Sequence, residues 1–69
     1  MAGFGQRVIK CRRAKKKSLS EMSLELGISK VSLAAYEKNK MEPPYEVLIM
    51  LVQYFNVTAD YLLGLSNKA

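Results

Sequence analysis

The sequence predicts an all-α fold of five short helices within one 69-residue domain. Its apolar residues recur three and four positions apart, which is the spacing of one helix face. Serine or threonine stands where three of the predicted helices begin, and glycine or asparagine where four of them end. No stretch alternates apolar and polar residues, and no Asn-Gly or Asp-Gly pair marks a hairpin. With one cysteine and no histidine, the chain must depend on apolar packing rather than on disulfides or a histidine-containing metal site.

The first helix is predicted over residues 4–16, with Phe4, Val8 and Cys11 facing the core. Glycine has a low helix propensity, so we expect Gly5 to loosen the beginning of this helix.

The second helix begins at a capping box formed by Ser18 and Glu21. In this motif the serine hydroxyl accepts from the amide three residues on, and the glutamate reaches back to the serine amide. Met22 and Leu26 lie four residues apart and form the inner stripe. Gly27 ends the helix because glycine adopts the left-handed conformation at little cost.

The third helix is capped by Ser29 and ends at Asn39. At 100° per residue, one side carries Leu33, Tyr36 and Glu37. The other side carries Val31, Ala34, Ala35 and Lys38.

Two further helices complete the predicted domain, which covers residues 4–65. Pro43-Pro44 opens the fourth helix, which stops at Asn56. Thr58 caps a short fifth helix that ends at Gly64. Residues 66–69 are expected to be a frayed tail.

The positive charge is concentrated in the first third of the chain. The net charge is +5, and residues 1–20 contain no acidic side chain. Such polarity suggests a polyanionic partner, either nucleic acid or an anionic membrane surface, although a solvated basic helix face is the plainer explanation. Seven of the eleven basic residues lie here: Arg7, Lys10, Arg12, Arg13, Lys15, Lys16 and Lys17.

Several classes of protein are disfavoured by what the sequence lacks. No apolar run approaches the roughly 20 residues of a membrane span, and the N-terminus lacks the apolar core of a signal peptide. We therefore expect a cytoplasmic protein. There is no histidine, no paired-carboxylate motif and no glycine-rich phosphate loop, so neither enzyme activity nor a cofactor or metal is expected.

From residue 4 to residue 64 the chain resembles the phage-repressor (Cro-type) helix-turn-helix regulators, an XRE-like family. The resemblance rests on an ordered set of residues: Arg12, Ser18, Leu26-Gly27-Ile28-Ser29, Tyr36-Glu37, Pro43 and Asp60-Tyr61-Leu62-Leu63-Gly64. It implies a lambda-repressor-like domain with the helix-turn-helix at about residues 18–38. It also implies a homodimeric, sequence-specific regulator of transcription, most often a repressor, on a palindromic DNA operator.

The resemblance further implies roles for individual residues. Arg12 and Glu37 match positions that form a structural ion pair. The expected base contacts are Lys30, Val31, Ala34 and Ala35, with Ser32 touching either a base edge or a phosphate. The expected DNA-backbone contacts are Ser18, Leu19, Ser29, Lys38, Asn39 and Lys40. Leu19 departs from the glutamine usual at its position and cannot supply that side chain's hydrogen bonds.

The fourth helix carries more apolar residues than one buried face requires. The surplus suggests a dimer interface formed by Ile49, Met50, Tyr54, Tyr61 and Leu65.

Two other functions remain open at this stage. The same fold serves protein-interaction modules, such as an anti-repressor or an antitoxin-like component, in which a protein partner controls activity and DNA contact is minor. The basic first helix could alternatively lie on an anionic membrane, although it has few large apolar residues to insert.

Overall fold

Five α-helices joined by short turns make up residues 3–69, the part of the chain that the computed structural model describes. The predicted all-α class is confirmed, and residues 3–69 contain no strand. None of the helices in this range is long and apolar enough to cross a membrane. The helices are α1 (Phe4–Ala14), α2 (Leu19–Leu26), α3 (Lys30–Glu37), α4 (Tyr45–Phe55) and α5 (Ala59–Leu62).

The helix ends follow the local chemistry that the sequence predicts. The Ser18 hydroxyl accepts from the Glu21 amide at 3.0 Å, and the Ser18 amide donates to Glu21 Oε1 at 2.9 Å. At α3 and α5 the cap is a single bond, in which the Ser29 and Thr58 side chains accept from the Ser32 and Tyr61 amides. Gly27 ends α2 with a φ of 70°. These contacts lie within a few residues of one another, which is why sequence alone identifies them.

Within residues 3–69, three residues other than glycine adopt the left-handed conformation: Lys16, Asn39 and Asn56. Asparagine tolerates it, but lysine carries a steric cost of about 1 kcal/mol. At Lys16 (φ 58°) the chain leaves α1, with the Lys16 amide donating to the Arg13 carbonyl at 2.9 Å. Helix α1 therefore ends at Ala14, two residues before the predicted limit.

The core draws on all five helices. Buried residues of all five helices form one apolar cluster, and the described residues leave no buried side-chain polar atom without a hydrogen bond. The buried apolar residues are Phe4, Val8, Cys11, Met22, Leu33, Tyr36, Leu51, Tyr61 and Leu62.

Gly5 does not loosen α1 as predicted; it is the point at which α1 meets α3. A β-carbon built on Gly5 would lie 2.3 Å from the carbonyl oxygen of Glu37. The Gly5 amide also donates to Asn39 Oδ1 at 2.9 Å. The prediction considered helix propensity only, whereas the close approach of two backbones decides this position.

Arg7 connects α1 to the end of the chain. Its guanidinium lies 4.2 Å from the centre of the Tyr61 ring and donates to the Ser66 carbonyl at 3.1 Å. It also donates to Asn67 Oδ1 at 3.1 Å. Two of the residues expected in a frayed tail thus bond to α1 in the structure.

Candidate nucleic-acid interface

The turn between α2 and α3 sets the direction in which α3 points. Gly27 reverses the chain, and the Ser23 hydroxyl donates to the Ile28 carbonyl at 2.6 Å, across the turn. Met22 of α2 and Leu33 of α3 are both fully buried. With one side of α3 held in the core, the opposite side must face solvent.

The outward side of α3 carries small apolar side chains in its middle and a lysine at each end. Lys30 and Lys38 are exposed, and Val31 is 80% exposed. Ala34 and Ala35 are half-buried between them. Small apolar side chains allow a helix to approach another surface closely, and lysines on either side add positive charge.

Ser32, an expected base contact, is linked to the residue that caps its helix. The Ser29 and Ser32 hydroxyl oxygens lie 3.0 Å apart, and Ser29 Oγ accepts from the Ser32 amide at 3.1 Å. Between them the two hydroxyls carry two protons, one of which is used in the bond that joins them. One donor remains for an outside acceptor.

An ion pair joins α1 to the end of α3. Arg12 Nε lies 2.6 Å from Glu37 Oε2, and Arg12 Nη2 lies 3.3 Å from Glu37 Oε1, a two-pronged geometry. Their side chains are 16% and 8% exposed. The hydrogen bond to Glu37 raises the pKa of Arg12 above its usual value. Arg12 Nη1 also donates to the Lys17 carbonyl at 3.0 Å, so one guanidinium positions both α3 and the loop before α2.

The turn after α3 carries the exposed Lys38 and Lys40 on either side of Asn39. Because Asn39 Oδ1 already accepts from Gly5, the amide group Nδ2 is the part of this side chain left to donate outward. Sequence reasoning missed the contact with Gly5. A glycine one position beyond the inward-facing Phe4 was the available signal.

At the start of α2, the side chains are largely occupied. Ser18 and Glu21 bond to each other, and the Leu19 side chain packs partly against the core. As the first residue of a helix, Leu19 has an N–H without an intrahelical acceptor. Backbone amides are thus what this end of α2 offers to an anion.

A second charged network, not anticipated from the sequence, links the loop before α2 to α2 and α4. Lys17 Nζ lies 2.8 Å from Glu25 Oε2, and the Tyr54 hydroxyl donates to Glu25 Oε1 at 2.5 Å. Lys15 Nζ lies 4.7 Å from the centre of the Tyr54 ring. The bond to Lys17 lowers the pKa of Glu25, whereas burial and the bond to Glu25 raise the pKa of Tyr54 to about 12.

Of the five residues expected at a dimer interface, Tyr61 is placed wrongly by the sequence. It is 7% exposed, in the core and beneath Arg7, because α5 turns it inward. Ile49 and Leu65 are exposed, and Met50 and Tyr54 are half-buried. Tyr45, an aromatic residue four positions before Ile49 on α4, is also exposed.

Residues 3–69 contain no group of three or more histidine, cysteine, aspartate or glutamate side chains that could hold a metal ion.

Comparison with known proteins agrees with this geometry. A helix-turn-helix domain family matches residues 5–68. The chain is 34% identical over 64 residues to the uncharacterized HTH-type transcriptional regulator YobD of Bacillus subtilis, covering 93% of this chain and 57% of that protein. It is 39% identical over 66 residues to YqaE of the same organism, covering 94% and 57%. It is 40% identical over 58 residues to the HTH-type transcriptional regulator AnsR, also of Bacillus subtilis, covering 84% of this chain and 50% of that protein. The chain spans about half the length of the curated relatives it matches.

Proposed function

The chain belongs to the XRE-like helix-turn-helix regulator family, and on that basis we propose that it binds double-stranded DNA with α3 in the major groove. One observation carries the proposal: the solvent-facing side of α3. It combines small apolar side chains with lysines at both ends, while Leu33 and Glu37 hold the helix from behind. Two of its relatives, YobD and AnsR, are named transcriptional regulators, which supports the same assignment.

In this proposal, bases are read by contact with the outward residues of α3. Val31 and the two alanine methyls meet thymine methyl groups, and Lys30 donates to guanine O6 and N7. The charges of phosphates are neutralised by Lys38 and Lys40. Phosphate oxygens also accept hydrogen bonds from the Asn39 side-chain amide and from the free backbone amides at the start of α2. The remaining proton of the Ser29–Ser32 pair donates to a base edge or a phosphate.

The proposal extends to a homodimer that represses transcription from a palindromic operator. Exposed apolar side chains at Tyr45, Ile49 and Leu65 support self-association. Two copies would present two α3 helices about one DNA turn, or roughly 34 Å, apart.

The decisive experiment is selection of bound sites from random duplex DNA at near-physiological salt, with the purified protein. Two half-sites separated by about one helical turn would support a dimeric sequence reader and supply the operator. Recovery of no consensus would contradict operator binding.

Lys30 provides a sharper test on the selected site. If Lys30 reads a base, Lys30→Ala reduces discrimination at one base pair by about 1–3 kcal/mol. If it bonds a phosphate instead, all DNA sequences weaken equally and the salt dependence of log K falls by about one unit. Val31→Ala is the matched control, because it removes no charge and should leave the salt dependence unchanged.

A second function has one observation in its favour. Tyr45 and Ile49 stand four residues apart on α4 and are both exposed, and neighbouring exposed apolar side chains of this kind form a surface that a partner protein can cover. The domain would then act as an anti-repressor or antitoxin-like component, with minor DNA contact. Weak DNA binding without sequence preference would support this function over the first.

A further inference from the structure

Three consecutive lysines precede α2, and the structure assigns them different surroundings. The Lys17 ammonium is bonded to Glu25, and the Lys15 ammonium lies over the ring of Tyr54. The Lys16 side chain is exposed and has no hydrogen bond or ion pair with any residue in 3–69. A stretch that looks uniform in the sequence therefore contains one free ammonium between two that are held against the protein.

The backbone at Lys16 is unfavourable for a lysine. Its φ of 58° is a conformation that glycine adopts without steric cost, and the two other non-glycine residues that share it in the described chain are both asparagine. Folding alone would therefore favour glycine or asparagine at position 16. A costly residue at a fixed turn indicates a role for its side chain outside the fold.

The turn also fixes where that side chain starts. The Lys16 amide is bonded to the Arg13 carbonyl, and the next carbonyl, that of Lys17, is bonded to Arg12 Nη1. Lys16 stands two residues before Ser18, so their Cα atoms are at most about 7.6 Å apart. Ser18 begins α2, whose free amides are part of the proposed DNA interface.

We propose that Lys16 is a DNA phosphate contact at the outer edge of that interface, whereas Lys15 and Lys17 serve the fold. The inference rests on the proposed DNA binding and adds to it a residue that the expected contact set does not include. The exposed Lys16 side chain starts two residues before Ser18, so its ammonium can reach the strand that would also meet the start of α2.

The test measures the salt dependence of binding to a mixed-sequence duplex of about 30 base pairs. Lys16→Gly removes the charge and also relieves the backbone, so its loss of affinity cannot come from unfolding. We expect the negative slope of log K against log salt to become shallower by about one, and the affinity at 0.1 M salt to fall about five- to tenfold. The melting temperature should rise. Lys16→Arg should retain the slope.

Lys10→Ala is the matched control. Lys10 is exposed, as Lys16 is, but it belongs to α1 and stands further along the chain from α2 than Lys16 does. It should leave the slope nearly unchanged. Equal losses in Lys10→Ala and Lys16→Gly would overturn the inference in favour of a diffuse basic surface, as would an unchanged slope in Lys16→Gly. If the unmodified protein shows no salt-dependent binding, the proposed function itself fails.

Discussion

At the scale of single residues, Gly5 stands where two helix backbones meet with no room for a side chain. Its missing side chain lets the first turn of α1 rest on the last carbonyls of α3, where Asn39 accepts from the Gly5 amide. Gly27 differs, because nothing lies within 4 Å of a β-carbon built there and only its φ of 70° requires glycine. The two glycines therefore serve different purposes, one spatial and one conformational.

This difference predicts unequal costs for the same substitution. Gly5→Ala should lower the free energy of unfolding by about 2–3 kcal/mol, because the methyl group would overlap a carbonyl that cannot move without displacing α3. Gly27→Ala should cost about 1 kcal/mol, the steric penalty of a left-handed alanine. Urea denaturation of the two variants measures both. Equal losses would show that α1 and α3 can separate slightly at little cost.

Caps and turns were predictable at this scale because their partners are three or four residues apart. Ser18, Gly27, Ser29 and Thr58 all behave as their local sequence indicates. Gly5 and Asn39 are 34 residues apart, and no local pattern connects them. Their contact depends on how two helices cross, which is a property of the packed molecule.

At the scale of elements, Arg12 connects three parts of the chain: α1, the end of α3 and the loop before α2. Its guanidinium bonds Glu37 at the end of α3 and the carbonyl of Lys17 before α2. Both pieces belong to the proposed DNA interface. The helix spacing that brings Arg12 to Glu37 was implied by family resemblance, whereas the bond to the Lys17 carbonyl required the structure.

Removing Arg12 should therefore be costly. Arg12→Ala leaves the Glu37 carboxylate largely buried without a counter-charge. We expect a loss of about 2–3 kcal/mol in the free energy of unfolding, between the values for exposed and fully buried pairs. The double variant Arg12→Met, Glu37→Leu should recover part of that loss, as thermal unfolding would show. Lys17→Ala, which breaks an exposed pair, serves as the control and should change stability little.

The Glu25 network, which connects α2 to α4 and to the loop before α2, makes the stability of the fold depend on pH. The bond to Lys17, and then that to Tyr54, lower the pKa of Glu25 from its ordinary 4.5 in the folded protein. The ionised carboxylate therefore stabilises the fold above pH 4.5, and this contribution disappears as the pH falls through the lower folded value. We expect stability to decline below about pH 5 in the native protein and to decline less steeply in Glu25→Gln. Chemical denaturation from pH 6 to pH 3 measures the difference; parallel curves would contradict it.

Tyr54 makes the same network sensitive to alkali. Burial and the bond to Glu25 raise its pKa from 10.0 to about 12, so protonated Tyr54 stabilises the fold below pH 10. That contribution is lost as the pH rises through about 12. The network ties α4 to α2, and its geometry could not be predicted because Lys17, Glu25 and Tyr54 share no short sequence pattern.

At the scale of the whole molecule, apolar surface remains after the core is complete. The chain measures 28 × 23 × 19 Å across its described residues, too small to bury every large side chain. Tyr45 and Ile49 remain exposed along α4. The surplus of apolar residues on this helix was visible in the sequence, but which of them would be buried was not. The same holds for Tyr61 of α5, which was expected at the surface and lies in the core.

If this surface joins two copies, Ile49→Glu should convert a dimer into a monomer, because a carboxylate would lose its hydration at the interface. Leu24→Glu places the same charge on another exposed apolar residue and should leave the mass unchanged. Analytical ultracentrifugation distinguishes the outcomes. A monomeric native protein, or an Ile49→Glu variant of unchanged mass, would exclude this dimer surface.

The contact between Gly5 and Asn39 has a practical consequence for anyone handling this protein. It puts the first turn of α1 beside the loop of Lys38 and Lys40, which we propose to touch DNA. A fusion partner joined to the start of α1 would enter the fold beside that loop and compete with the nucleic acid for space. A small fluorophore attached there would, for the same reason, report directly on complex formation.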